Sequence, residues 1–272
     1  TFYGFDLTFM PVDRPVWKKR YAELFDHIDL ALFEGPHMAQ TAVDLGCPEA
    51  KTQVHHLGVD LERLPFQPRE WSPGEPLKVL IAGTFKEKKG MPYGLEALSR
   101  AREFVDIEVT VIGDAVDKER SRAEKRRIHA IVEREDMDDI VEFMGYQPYD
   151  ELISQGLDHH VFLSPSVHAE SGDTEGGAPV SIIEMLATGM MIVSTDHCDI
   201  PNVVHDGEWG LLAPERDVYA LVEHLRWLTE HPDEWYSMAR KGRDWVEAEF
   251  DARKQGERLG QVYREVCGVD LP

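Results

Sequence analysis

The sequence predicts an α/β protein: a doubly wound, Rossmann-like parallel sheet preceded by an incomplete second unit. Three observations carry this expectation. From Pro76 onward, short apolar runs alternate with segments of helical spacing. The runs cover residues 78–83, 107–113, 140–145, 160–164, 191–195 and 210–212, lengths that suit strands buried on both faces. Three of them end in glycine, at Gly83, Gly113 and Gly145, where a strand hands over to a loop.

The elements follow in order. Residues 1–4 read as the end of a strand, 15–27 as a helix, 30–33 as a strand, 37–45 as a helix and 51–57 as an extended run. That makes about two βα units, too few for an independent sheet. Residues 64–76 hold Pro65, Pro68, Pro73 and Pro76 with Phe66 and Trp71, and read as a linker packed on a domain edge. Within the sheet region, 90–103 shows helical spacing at Leu95, Leu98 and Ala101, and 117–135 is a charged helix. Residues 179–189 form a helix with proline in its first turn and glycine at its end. The tail continues with helices over 218–229, 233–247 and 252–266, the last carrying Leu259, Val262, Tyr263 and Val266 on one stripe. The expected organisation is a first unit over 1–57, a linker over 58–77, a sheet domain over 78–250, and a terminal helical segment over 251–272.

Composition narrows the function. The 272 residues are 42% hydrophobic, enough for a sizeable core, and no stretch approaches the ~18 apolar residues of a membrane span. The net charge is −22, from 51 acidic and 29 basic residues. A nonspecific nucleic-acid binder needs the opposite sign. An anionic membrane surface would meet this chain only peripherally, through a local basic patch. The acidic surplus reads as a solubilising surface or as adaptation to high salt. Cys47, Cys198 and Cys267 show no CxxC spacing and read as reduced, mostly core-filling thiols of a cytoplasmic protein. The pairs His55-His56 and His159-His160 have no accompanying ligand pattern, so packing is expected of them and no metal site. No basic-then-apolar leader opens the chain, and Thr1 starts directly on strand-like sequence, as a fragment or processed form would.

In an open α/β sheet, ligands bind beyond the carboxyl ends of the strands. The loops at 83–90, 113–114, 145–146, 164–177 and 194–200 are therefore the candidates. Gly176 and Gly177 precede a helix, where backbone N–H groups and the helix dipole favour an anion. Glu175 stands on that loop. Glu184 lies about one and a half turns into the helix, where a carboxylate can accept hydrogen bonds from paired ribose hydroxyls. An ordinary glycine turn with an exposed acid and a capping acid fits the same residues. Lys89, nearest the next helix, can reach a pyrophosphate. Lys86 and Lys88, beside Glu87, read as a solvated charge run.

Together these segments resemble the retaining GT-B glycosyltransferases of family 4, of the colanic-acid and exopolysaccharide type. The resemblance runs through Gly83-Thr-Phe-Lys-Glu-Lys-Lys-Gly90, Val-Ile-Gly113-Asp114, Glu175-Gly-Gly-Ala-Pro-Val-Ser-Ile-Ile-Glu184, Ala-Thr-Gly189 and Asp206-Gly-Glu-Trp-Gly-Leu-Leu212, over essentially the whole chain. It implies two Rossmann-like domains with the active site between them, the C-terminal one binding the nucleotide sugar. It places Glu184 on the ribose, Glu175 by the donor sugar, Gly176 and Gly177 at the phosphates, and Lys89 on the diphosphate. Gly83 and Thr84 belong to the phosphate loop, and Gly113 and Gly145 to the base-binding loops. The implied donor is a UDP- or GDP-sugar, the acceptor a glycan or lipid-linked glycan, and no cofactor or metal is implied. The expected location is cytoplasmic, with the inner membrane face as the alternative.

Three departures from the family pattern stand out. The two glutamates are nine positions apart rather than eight. Thr84 occupies a place where the family often has arginine. Residues 1–6 match a segment whose histidine faces the reacting sugar, and here that residue is Tyr3, a poor base at neutral pH. The resemblance also implies that residues 1–57 are the last part of an acceptor domain, so that either a second chain completes it or apolar surface is exposed. A retaining glycosyltransferase is the leading expectation. A nucleotide-sugar- or partner-binding module without turnover is the alternative, and a nucleotide-sugar epimerase of the same fold is a third.

Overall fold

The computed structural model describes residues 1–268; residues 269–272 of the predicted terminal segment lie outside the described residues. The first unit contains α1 (Gly4–Thr8), α2 (Met10–Asp13), α3 (Val16–His27), β1 (Ala31–Phe33), α4 (Pro36–Asp44) and β2 (Thr52–Val54). The second contains β3 (Leu77–Ala82), α5 (Met91–Ala101), β4 (Ile107–Ile112), α6 (Glu119–Arg134), β5 (Val141–Gly145), α7 (Tyr149–Asp158), β6 (Val161–Ser164), α8 (Val180–Thr188), β7 (Met191–Thr195), α9 (Ile200–Val203), β8 (Leu211–Ala213), α10 (Val218–Glu230) and α11 (Trp235–Glu249). α12 (Ala252–Cys267) follows.

The large sheet has the order β5-β4-β3-β6-β7-β8, with every pairing parallel. The chain starts in the middle at β3, moves outward through β4 and β5, returns to β6, and moves outward the other way. The reversal between β3 and β6 is the topological switch of a doubly wound sheet, and it opens a crevice at their carboxyl ends. The six predicted strands are the six observed, within a residue or two at each end.

The pleat explains the two cores. Val79, Ile81, Val161, Leu163, Met191 and Val193 point to one face and meet α5, α6 and α10. Leu80, Phe162 and Ile192 point to the other and meet α8 and the Val246 side of α11. The central strands β6 and β7 are buried at every position, as a sheet covered on both sides requires.

The first unit has a smaller core of Leu7, Tyr21, Phe25, Phe33, Met38 and Ala42. β1 and β2 pair in parallel, and Phe2 adds a single bridge to Phe33. The strand predicted over 1–4 is thus reduced to Phe2, because Gly4 already opens α1. The histidine pairs pack as expected: His159 bridges the Gln155 carbonyl (2.6 Å) and Thr110 Oγ1 (2.9 Å), and His160 Nδ1 accepts from the Lys78 N–H (3.0 Å). Of the cysteines, Cys47 is buried but Cys267 is exposed. Among the described residues no helix is long and apolar enough to cross a membrane.

The stretch after residue 60 is fastened to the sheet domain. Leu64 is fully buried in the second core. Arg69 is 6% exposed, and its guanidinium donates to the carbonyls of His159 (2.9 Å), Thr188 (3.0 Å) and Gly156 (2.6 Å). Burial pulls its pKa down to about 10, so it stays charged at neutral pH. Replacing Arg69 with Met is expected to leave these buried carbonyls unpaired and to cost about 3 kcal/mol in urea-induced unfolding. Arg69→Lys should recover only part of that, since one ammonium cannot span the three carbonyls.

Candidate functional site

The loops after β3 and β6 meet at the switch. Val167 N–H donates to the Lys88 carbonyl (2.9 Å). A Cβ on Gly90 would stand 1.7 Å from the Pro165 carbonyl oxygen, and Gly90 has φ +60°, so only glycine allows this approach. The neighbouring strand ends are joined too: Gly83 N–H donates to Ile112 O (2.9 Å) and Gly113 N–H to Gly145 O (2.8 Å). The Lys89 stem crosses Gly83, and Thr84 is half-buried next to it. Tyr146 donates from its hydroxyl to the Asp114 carbonyl (2.8 Å), tying the loop after β5 to the loop after β4.

Glu175 lies at the centre. Its side chain is 7% exposed, with Lys89 Nζ 3.0 Å from Oε1, Lys88 Nζ 3.6 Å from Oε2, and Ser166 Oγ donating at 3.3 Å. Burial pushes its pKa up, but Lys89 and Lys88 outweigh that and hold it below the ordinary carboxylate value. Lys88 overturns its expected role as a solvated charge. It is 13% exposed, donates to the Thr174 carbonyl (2.7 Å) and pairs with Asp173 (3.4 Å).

The Glu175 backbone is held from below by residues the sequence reading passed over. Its N–H donates to His197 Nε2 (3.1 Å), so the proton of this imidazole sits on Nδ1 and points to Glu215 Oε1 (2.6 Å). His168 Nδ1 meets the same carboxylate oxygen at 2.5 Å, and its backbone N–H donates to Oε2 (2.8 Å). His197 is fully buried, and burial lowers its pKa against the pull of Glu215. Ring nitrogens of His168 and His197 lie within 4.8 Å of the Cys198 thiol. His197, however, already uses both nitrogens on Glu175 and Glu215. The only sequence signal for His197 was its place in the loop after β7.

Glu184 stands on α8, which begins after Pro179 and ends at Gly189 with φ +87°. Its Oε1 accepts from the Tyr149 hydroxyl (2.9 Å), and the Arg63 guanidinium lies 4.6 Å over the Tyr149 ring. Burial raises the Glu184 pKa despite that hydrogen bond. On the Tyr149 side, burial and then the bond to Glu184 push the phenol to about 12.

The first unit reaches this loop directly. A Cβ on Gly176, which has φ +74°, would lie 2.1 Å from the Gly4 Cα, and one on Gly177 would lie 1.8 Å from Glu34 Oε2. The segment carrying the additional residue between the two glutamates is therefore the one pressed against the first unit. Tyr3, just before that contact, is 46% exposed. Glu34 and Asp199 form the other part of the seam. Asp199 accepts from the N–H groups of His37 (2.8 Å) and Met38 (3.2 Å) at the start of α4, and its pKa is raised by burial. Glu34 is pushed up to about 7 by burial first and then by Asp199, Asp6 and Glu175, with Lys88 opposing.

A carboxyl whose pKa is higher folded than unfolded loses stability as pH rises from its ordinary value to the raised one. For Glu34 that window runs from pH 4.5 to about 7. Glu34→Gln should therefore raise the melting temperature at pH 8 by roughly 3–6 °C and leave it unchanged near pH 4.5. Scanning calorimetry of both proteins across this range checks the sign.

Comparison with known proteins bears on the family and the fold. Residues 65–245 match the family described as glycosyl transferases group 1. The chain is 31% identical over 264 residues to WcaL of Escherichia coli (strain K12), named as a colanic acid biosynthesis glycosyltransferase, covering 96% of this chain and 62% of that protein. It is 29% identical over 251 residues to the amylovoran biosynthesis glycosyltransferase AmsK of Erwinia amylovora, covering 92% and 60%. Among solved structures, Anabaena Alr3699/HepE in complex with UDP and glucose superposes with a TM-score of 0.79 at 16% identity, covering 92% of this chain and 67% of that one. The sucrose-phosphate synthase of Thermosynechococcus elongatus gives 0.78 at 21%, covering 94% and 63%. The chain spans about three fifths of the length of WcaL and AmsK. With a GT-B sheet, a family match across most of the sheet domain and these relatives, the chain belongs to the group 1 glycosyltransferases.

Proposed function

We propose that this chain carries the donor half of a retaining glycosyltransferase, moving a hexosyl unit from a nucleotide-diphosphate sugar to a glycan or lipid-linked glycan in polysaccharide assembly. The observation that carries the reading is the convergence of Lys89 and Glu175 at the β3/β6 switch, with Glu184 on the helix that leaves the same loop.

Each residue has a chemical reason for its part. Lys89 provides a positive charge in a crevice where water is scarce, and there it stabilises the negative charge that grows on the leaving diphosphate. Gly83, Thr84, Gly176 and Gly177 line that diphosphate with backbone. Glu175, kept ionised by its lysines, accepts hydrogen bonds from donor-sugar hydroxyls. Glu184 presents to the ribose the oxygen that Tyr149 leaves free. Gly113 and Gly145 border the base. Tyr3 lies on the acceptor side and serves as a hydrogen-bonding group rather than a base. A UDP-sugar is the favoured donor, since Alr3699/HepE holds UDP and glucose on the same fold. The acceptor side extends into whatever completes the first unit, a longer chain or a partner, and the site of action is cytoplasmic. No metal or cofactor takes part.

A binding module without turnover is the second reading, favoured by Thr84 and Tyr3. Incubation with UDP- and GDP-sugars, following both binding and free nucleotide, separates the two. Binding without release in the presence of glycan acceptors would sink the enzyme reading.

Under the proposed roles, Lys89→Ala should weaken UDP-glucose binding by about 10-fold or more in calorimetric titration, a charged contact being worth roughly 1.5–3 kcal/mol. Glu184→Ala should weaken UDP itself to a similar degree, whereas Glu175→Gln should affect the UDP-sugar and its turnover but not UDP. Thr84→Arg adds the second diphosphate cation common in the family. It should tighten UDP binding several-fold at low salt, with the gain shrinking as salt rises. Unchanged affinity in that variant would remove Thr84 from the phosphate loop.

A further inference from the structure

The loops after β6 and β7 bring three metal-ligating side chains together beneath Glu175. His168, His197 and Cys198 each offer a nitrogen or sulfur atom, and these atoms lie within 4.8 Å of one another. Cys198 Sγ stands 3.2 Å from His197 Nε2. The two imidazoles meet edge to face, with 4.6 Å between centroids and 74° between planes. Around a tetrahedral zinc ion, sulfur and nitrogen ligands stand roughly 3.3–3.8 Å apart. The Cys198–His197 pair is already close to that spacing. His168, at the solvent-exposed end, has about 1 Å at most to close.

The groups behind these ligands suit the same role. Glu215 Oε1 takes Nδ1 of both rings, 2.5 Å from His168 and 2.6 Å from His197. A carboxylate on the second nitrogen is what orients a metal-ligating imidazole and leaves Nε2 as the lone-pair donor. For His197 that tautomer is already set, since Nε2 accepts from the Glu175 N–H (3.1 Å). Cys198 supplies the soft ligand. Burial pushes its thiol up to about 11, so an ion must displace the proton to solvent, as a coordinated divalent metal does. Two nitrogens and a sulfur select zinc or a similar borderline-soft ion over magnesium or calcium, which take oxygen ligands.

His197 Nε2 has one lone pair, which holds either the Glu175 N–H or an ion. We infer that His168, His197 and Cys198 form a site for a zinc-type divalent ion, whose occupation takes His197 away from Glu175 and loosens the donor loop. A water would complete the tetrahedron. The binding of the ion stands on these side chains alone. Its effect on the donor rests on the role proposed for Glu175.

Cobalt enters zinc sites and absorbs light, so it reads the ligation directly. Titrating the whole chain with Co²⁺ in a non-thiol reductant should produce a thiolate-to-cobalt charge-transfer band, which Zn²⁺ displaces. Cys198→Ser should remove the band, and His168→Ala should weaken cobalt binding by about 10-fold or more. In calorimetric titration, excess Zn²⁺ should weaken UDP-glucose binding to wild type several-fold, and Mg²⁺ should not. Both variants should bind UDP-glucose as wild type does and be insensitive to Zn²⁺. Absence of the band, or its persistence in Cys198→Ser, would overturn the site. Equal weakening by Zn²⁺ in wild type and variants would put the ion on the nucleotide and overturn the coupling. A full band with unchanged UDP-glucose affinity would overturn the coupling too. A band lost in Cys198→Ser, in a chain that binds no UDP-glucose with or without metal, would count against the donor reading and leave the site standing.

Discussion

The site depends on one close approach. The loop after β3 and the loop after β6 touch backbone to backbone, through Val167 N–H on the Lys88 carbonyl and through Gly90 against the Pro165 carbonyl. These loops leave adjacent strands at the point where the sheet reverses direction, so the fold brings them together. What glycine adds is distance: with any side chain at 90, the lysine turn would lift away from residues 165–175. Lys88 and Lys89 would then lose Glu175, and a carboxylate that is 7% exposed would be left without its cations. The charge on Glu175 and the geometry around it follow from a contact that contains no charged atom.

Much of this was legible in the sequence because it depends on short-range pattern. Each strand of the large sheet announces itself as an apolar run, and residues on the loops that follow fall at one edge of the sheet. Glu175, Lys89, Gly176 and Gly177 stand on such loops. What escaped depends on long-range packing. Lys88 reads as solvated within Lys-Glu-Lys-Lys; the loop that buries it arrives more than 80 residues later. His197 and Glu215 are single residues with no local pattern, joined only when β7 and β8 pair. α7 carries Tyr149, Leu152, Ile153 and Leu157 at helical spacing, yet Gly156 stands at one of its contact positions, against Met185, and weakens the pattern. α1, at five residues, is too short for periodicity to reveal.

The charge balance of the chain differs between its surface and this crevice. Among the described residues the buried acids are Glu124, Glu184 and Asp199, and the others stand at exposed or half-buried positions. The crevice gathers acids as well: Glu34, Asp199, Glu175 and Asp173 stand around one seam. Lys88 and Lys89 keep Glu175 ionised, and the N-terminus of α4 supports Asp199. Glu34 has only the pull of Lys88, and burial first, then Asp199, Asp6 and Glu175, raise its pKa.

The passage between the two units has a mechanical consequence. The chain leaves the first unit through Gly58 and Val59, and it comes back past the same place at Phe250 and Asp251. The two segments are stitched side by side by Val59 N–H on the Phe250 carbonyl (2.7 Å) and Ala252 N–H on the Val59 carbonyl (3.0 Å). Two tethers laid together behave as the pin of a door. Twisting one unit against the other shears both hydrogen bonds, whereas swinging about the line of the tethers strains neither. The softest relative motion is therefore a swing about that line, which changes how closely Gly4 approaches Gly176.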